Sequence, residues 1–203
     1  MSFNKTLIKY QKNKINFYGN PNRIPQKQQY DFFIIIPAYS EYDYIDNTLS
    51  SINEQIDIDF KKLLVIVVIN NSLSDSSDIK ENNLKTYIKL ISRKDDFELI
   101  VIDSFSLKQA YDKKIAGVGL ARKIGMDFCI QYSHSNSLLC CIDADTLIHR
   151  HYISIILQQY QKTLFCAGVV NFSHQKSDNK QINKNIKSYE TILKDNAEKL
   201  QKI

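Results

Sequence analysis

The feature that most constrains the fold is an alternation. Short apolar runs dominated by Ile, Val and Leu are separated by longer stretches whose apolar residues recur every three or four positions. Runs with no polar alternation fit strands covered on both faces, and such strands are joined by helical crossovers. The pattern predicts βαβ units around a mostly parallel sheet, that is, an α/β, Rossmann-like fold with flanking helices. The runs occupy residues 32–36, 63–69, 99–102, 138–142 and 164–170, so about five strands are expected.

The intervening stretches supply the helices. Residues 44–55 carry Ile45, Leu49 and Ile52 on one face, with Ile56 just beyond, and residues 79–91 behave alike. In residues 115–132, Val118, Ala121, Ile124, Gly125 and Phe128 share a face whose small members allow close approach to the sheet. Residues 151–160 repeat the pattern through Ile153, Ile156 and Leu157. After Asn171 the composition turns to Gln, Lys, Asn and Ser, and a polar C-terminal helix is expected over 182–203, with Ile186, Tyr189, Leu193 and Leu200. Residues 1–30 show no clear period and are expected to lie as a loose arm across the domain. The organisation is thus an arm over 1–30, a ligand-binding α/β domain over 31–175 and a polar helix over 176–203.

Composition and charge remove several function classes. A chain of 203 residues, 43% hydrophobic and 24% charged, is globular material for one medium domain or a part of something larger. No apolar run approaches the ~18 residues of a membrane span, and the N-terminus lacks the apolar core of a signal peptide. The net charge of +5 is concentrated at the ends: residues 1–30 hold six Lys/Arg and no acid, and residues 176–203 hold seven Lys against four acids. These ends read as solvated surface, with peripheral contact to an anionic membrane as the alternative. No aromatic-interleaved basic stripe supports nucleic acid binding. Cys129, Cys140, Cys141 and Cys166 lie in apolar stretches without C-x-x-C spacing, which points to buried, reduced thiols. The expected location is cytoplasmic, either free or at the inner membrane surface.

In open α/β sheets, ligands bind beyond the carboxyl ends of the strands. Here those ends are polar: Pro37-Ala38-Tyr39-Ser40-Glu41, Asn70-Asn71-Ser72-Leu73-Ser74-Asp75, Asp103-Ser104 and Asp143-Ala144-Asp145. Two carboxylates two residues apart after a buried strand can hold a hard divalent cation and leave positions open for phosphate oxygens. Asp143 and Asp145 are therefore the candidate metal ligands, for Mg²⁺ or Mn²⁺. The structural alternative is a cap on the helix that follows.

The segment over residues 34–41 resembles the first strand and P-x-Y-N-E motif of family 2 glycosyltransferases of the GT-A fold, with Ser40 in place of Asn. Val67-Val68-Ile69-Asn70-Asn71-Ser72-Leu73-Ser74-Asp75 is similar to V-V-x-D-D-G-S-T-D with amides for both acids. Gly117-Val118-Gly119-Leu120-Ala121-Arg122-Lys123-Ile124-Gly125 is similar to G-x-x-x-A-R-N-x-G, and Cys141-Ile142-Asp143-Ala144-Asp145 to the family's L-D-A-D. The four motifs stand in family order across about residues 31–175. The resemblance implies a GT-A donor domain that binds a nucleotide-diphospho-sugar, UDP-linked by expectation, and transfers the sugar with inversion to a saccharide or lipid acceptor.

The resemblance also distributes roles. Pro37 and Tyr39 shape the base site, where Tyr39 can stack. Asn70 or Asn71 stands where the family accepts the imide proton of uracil, which an amide carbonyl can also do. The structural alternative for that pair is an Asx turn. Glu41 is a ribose or loop-ordering group, and Arg122 approaches the diphosphate or pairs with Asp143. Asp75 is read as a cap on the following helix, Lys113, Lys114, His149 and His151 as solvated, and His174 as a lesser candidate beside the metal.

The family's catalytic base lies in a later segment with an E-D pair. Beyond His174 this chain offers only Asp178, Glu190, Asp195 and Glu198 on a Lys/Asn-rich stretch, and none is assigned as base. The chain therefore reads as a truncated donor-binding portion. The alternatives are a non-catalytic nucleotide-sugar-binding or interaction module derived from such an enzyme, and, less fittingly without a glycine-rich phosphate loop, a nucleotidyltransferase. Gly117-x-Gly119 is no dinucleotide fingerprint, since Arg122 stands where glycine is needed, and no P-loop, G-x-S-x-G or H-E-x-x-H occurs.

Overall fold

The computed structural model describes residues 3–14, 19–163, 165–174 and 178–200, with side chains over 5–12, 19–163, 165–174 and 178–193. Two compact units emerge, Met1–Gln159 and Tyr160–Ile203. The first holds a five-stranded sheet with the strands β1 (Asn20–Pro21), β4 (Glu98–Ser104), β3 (Leu63–Asn70), β2 (Phe32–Ala38) and β5 (Leu138–Cys141) in that spatial order. β1 runs antiparallel to β4, and every other pair is parallel. The helices are α1 (Phe3–Lys14), α2 (Ile45–Asn53), α3 (Ser77–Ile91), α4 (Val118–Ile130), α5 (Tyr152–Lys162) and α6 (Lys180–Leu200).

Every residue of β2 and β3 is buried, because helices cover both faces of the sheet. On one face Ile34, Ile36, Val65, Val67 and Val101 pack with Ile45, Leu49 and Ile52 of α2 and Leu90 of α3. On the other, Phe33, Ile35, Ile66, Val68 and Ile100 pack with Ala121, Ile124 and Phe128 of α4. Burying each such aliphatic or aromatic side chain contributes about 1.5–3 kcal/mol. The chain steps outward from β2 through β3 to β4, then crosses back behind α4 to place β5 on the other side of β2. That reversal opens a crevice beyond the carboxyl ends of β2 and β5.

Pro37 sits in a central strand, where a missing N–H is normally costly. Ile35 points its carbonyl to the β5 side, accepting from Ile142 at 3.1 Å. Backbone groups alternate sides along a strand, so position 37 also faces that side, and there β5 has already ended at the Ile35–Cys141 pair.

Four expectations are corrected. Residues 165–170, part of the expected fifth strand, form no strand, and Val169 is 93% exposed; Leu164 lies outside the described residues. The fifth strand is instead β1, from the segment expected to be loose. Its two residues carry no period because neighbouring groups hold them: Asn22 exchanges bonds with the Val101 backbone at 2.9 Å each way, and Arg23 donates to the Leu99 carbonyl at 3.1 Å. That segment also contains α1, whose Tyr10 hydroxyl donates to buried Asp127 at 2.8 Å, while Lys123 pairs with the same carboxylate. Val118 is exposed at the start of α4 rather than on its packed face. Among the cysteines, Cys129 is buried, Cys140 and Cys141 are half-buried and Cys166 is exposed, all four free. Among the described residues no helix is long and apolar enough to cross a membrane.

Gly125 sets the distance between α4 and the sheet. A Cβ there would come within 2.4 Å of Ile35 Cγ2 and 3.2 Å of Val68 Cγ2, both in the fully buried core. Gly125→Val is expected to destabilise the protein by about 1–3 kcal/mol, read as a lower urea midpoint.

Candidate functional site

A cavity of about 670 Å³ opens at the carboxyl ends of the strands, within the range of small-molecule sites. Pro37 enters its wall from the end of β2 and Tyr39 and Glu41 from the turn after it; Asn70 ends β3, and Asn71, Ser72 and Asp75 follow. Lys113, Ala116 and Gly117 come from the loop before α4, Val118 and Arg122 from α4, and Asp143, Ala144 and Asp145 from the turn after β5. All eight residues singled out in the sequence meet here. Lys113 and Asp75, read there as a solvated lysine and a helix cap, also line the wall.

The loops are held by a residue the sequence reading passed over. Asn83, fully buried in α3, accepts from the Ser40 N–H at 2.9 Å and donates to the Asn70 carbonyl at 3.2 Å and to Asn71 Oδ1 at 3.0 Å. One side chain thus ties the turn after β2 to the turn after β3. Ser40 adopts φ 62°, a left-handed conformation in which Asn is enriched. The available signal for Asn83 was its place on the stripe Ile79, Asn83, Thr86, Leu90, where a lone amide among inward positions needs partners.

Asn83 fixes the Asn71 amide, and the Gly117 carbonyl fixes that of Asn70. Asn71 accepts from Asn83, so its Nδ2 donates to the Ser72 carbonyl at 2.9 Å and both ends are engaged. Asn70 Nδ2 faces the Gly117 carbonyl at 3.3 Å, and since a carbonyl only accepts, the amide orientation leaves Oδ1 as the acceptor available to the cavity. Gly117 has φ 153°, a backbone conformation that side-chain-bearing residues rarely adopt, although no atom would obstruct a Cβ there. Asp75 does not cap α3, whose N-cap is Ser76. Its carboxylate accepts from the Ser72 N–H at 2.8 Å and closes the turn. The loop before α4 is strapped on by the Leu73 N–H, which donates to the Tyr111 carbonyl at 2.9 Å.

The cavity's charge is unevenly composed: Glu41, Asp75, Asp143 and Asp145 against Lys113 and Arg122. Arg122 donates to Asp143 at 2.5 Å through one nitrogen, not bidentately, and the pair is 38% and 59% exposed. A pair that open to water contributes ~1 kcal/mol or less. The buried Nε of Arg122 has no hydrogen-bond partner, so the guanidinium retains donor capacity. Burial, followed by the charges of Asp145 and Asp143, pushes the Glu41 carboxyl above its usual 4.5. Burial and the Asp75 carboxylate raise the Tyr39 phenol.

Among the described residues no three His, Cys, Asp or Glu side chains converge as a closed metal cage. The exposed carboxylates of Asp143 and Asp145 suit an ion that completes its shell with water and phosphate oxygens. The thiols are poor alternatives: burial holds Cys129 well above its usual value and pushes Cys141 up to about 11. His174 belongs to the second unit, where its Nδ1 and backbone N–H meet Glu190 Oε1 at 2.9 and 2.7 Å, and it is not part of the cavity wall. Lys114, His149 and His151 are also absent from that wall, and His149 and His151 precede α5 rather than lying within it.

No protein-family model and no curated protein matches the chain. Solved structures of glycosyltransferases resemble it. Residues 1–349 of S. aureus TarS in complex with UDP align with a TM-score of 0.42 at 18% identity, over 65% of this chain and 32% of that one. The same TarS portion in complex with UDP-GlcNAc gives a TM-score of 0.42 and 18% identity over 65% and 31%. The mannosyltransferase PcManGT of Pyrobaculum calidifontis, in complex with GDP-Man and Mn²⁺, gives a TM-score of 0.37 and 17% identity over 72% and 35%. The chain spans about a third of the length of each.

Two outcomes follow from this geometry. Asn83→Ala strands one buried N–H and two acceptors, and is expected to cost about 2–4 kcal/mol and to speed amide exchange at Ser40 and Ser72. Glu41 has a raised pKa in the folded state, so its contribution to stability is complete below the ordinary 4.5 and is lost as pH rises through the folded value. Glu41→Gln should therefore raise the urea midpoint at neutral pH, with the gain vanishing below pH 4.5.

Proposed function

We propose that this chain carries the donor-binding portion of a metal-dependent, inverting glycosyltransferase of the family 2, GT-A type, taking a nucleotide-diphospho-sugar. The observation that carries the reading is the convergence, on one cavity at the strand ends, of a stacking ring, a fixed amide acceptor, cations and a pair of exposed carboxylates.

The assignments follow from the chemistry of each group. Tyr39 offers its half-exposed ring to the base over the floor made by Pro37. Asn70 Oδ1 accepts a ring N–H, which uracil and guanine supply and the N3 of cytosine does not. Uracil is the base we assign, because its compact imide presents that N–H with no further donor to satisfy. Asn71 acts indirectly, holding the turn through Asn83. Glu41 orders the ribose and the β2 turn. Arg122, through its unused donors, and Lys113 hold the diphosphate near the free N–H groups at the start of α4.

Asp145, with Asp143, would hold Mg²⁺ or Mn²⁺, which when bound neutralises charge developing on the departing diphosphate. Deprotonation of the acceptor hydroxyl needs a carboxylate on the far face of the sugar. None of the cavity's carboxylates is assigned that task, and Glu190 is engaged with His174. Asp195 and Glu198 lie outside the described side chains. That absence of an assigned base favours a second reading, a module that binds the donor without turning it over.

Titration calorimetry with UDP, UDP-GlcNAc, GDP and GDP-Man in Mn²⁺ tests the proposal. Uridine ligands are expected to bind, chelation of the metal to abolish binding, and Asp145→Ala to weaken it by about 10–100-fold. Absence of binding by all four ligands overturns it. Release of free sugar or its transfer, lost in Asp145→Ala, would reject the module reading.

A further inference from the structure

We propose that α6 is a lipid-binding helix that lies on anionic membrane surfaces. Ile182, Ile186, Tyr189 and Leu193 follow the i, i+4, i+7, i+11 spacing of one helical face, and Ile192 flanks it. Ile182, Tyr189 and the flanking Ile192 are 46%, 54% and 56% exposed, Ile186 and Leu193 are half-buried, and one side of the Tyr189 ring meets His174 at 5.8 Å. Lys180, Lys184 and Lys187 repeat the same spacing on the opposite side, all exposed.

Two observations choose the occupant. Residues 179–189 contain three lysines and no acid, and among the described residues none of the three ammonium groups enters an ion pair. Glu190, the first acid after them, is engaged by His174. Asp178 and Glu190 flank the three lysines, and the balance of the segment stays basic. Across residues 160–203 eight Lys stand against four acids. An apolar ridge backed by unpaired lysines matches a helix lying in the interface of an anionic bilayer, with Tyr189 at headgroup level and the lysines reaching phosphates. Two copies of α6 would set like net charges against each other, each with five Lys against three acids. The inference stands independently of the nucleotide-sugar reading.

The full chain is tested by flotation with phosphatidylglycerol–phosphatidylcholine vesicles and with pure phosphatidylcholine vesicles. Binding is expected to the anionic vesicles only, weakening as salt rises. Replacing Lys180, Lys184 and Lys187 by Gln should weaken it about a hundredfold, roughly fivefold per lysine. Ile182→Glu with Tyr189→Glu should abolish it while the circular dichroism of the soluble protein is retained. Failure to float with anionic vesicles, equal flotation with neutral ones, or wild-type binding by either variant overturns the proposal. So does a concentration-dependent dimer in sedimentation that Ile182→Glu disperses, which would give the face to a second copy.

Discussion

The structure depends on the complete burial of two adjacent parallel strands. β2 and β3 are buried along all of their seven and eight residues, so helices must cover both faces, and polar side chains are displaced to the strand ends. The carboxyl end of the sheet therefore collects what the core rejects. Asn70 follows Ile69 directly, and Asp143 follows Ile142. Where the strand order reverses, the crevice forms beyond the carboxyl ends of β2 and β5.

The rim works because its loops are held from within. Asn83 bridges the turns after β2 and β3 from inside α3, and the backbone it secures places Tyr39 and Glu41 near Asn70 and Asp75. Gly125 lets α4 approach the sheet closely enough to bring Gly117 and Arg122 to the same rim. Burial and the Asp145 and Asp143 charges work against an ionised Glu41, while Arg122 pairs with Asp143. Four carboxylates against two cations leave the cavity wall net negative.

Much of this was legible in the amino-acid order. Four of the five expected strands and the amphipathic helices stand close to where periodicity put them, because strands covered on both faces and one-faced helices leave strong patterns. The eight candidate residues share one cavity because each lies at or just beyond the carboxyl end of a strand or on the first turns of α4. The misreadings have physical causes. Residues 165–170 are apolar enough for a strand, but no partner strand takes up their backbone among the described residues. β1 is held by side-chain-to-backbone bonds from Asn22 and Arg23 that leave no period to read. Asn83 resembled any polar position in a Lys/Asn-rich helix.

The order of residues by itself determined which segments had to be buried, which face of each helix turned inward, and that polar groups would gather at the strand ends. Those properties follow from local hydrophobic periodicity, which every residue carries into any fold. Only the tertiary structure decided the order β1-β4-β3-β2-β5, the capture of an aperiodic N-terminal segment as an edge strand, and the amide orientations set by Asn83 at Asn71 and by the Gly117 carbonyl at Asn70. Each of these rests on contacts between residues far apart in the chain, such as Ser40 with Asn83 or Asn70 with Gly117, and pairings at such separations leave no repeat in a single sequence.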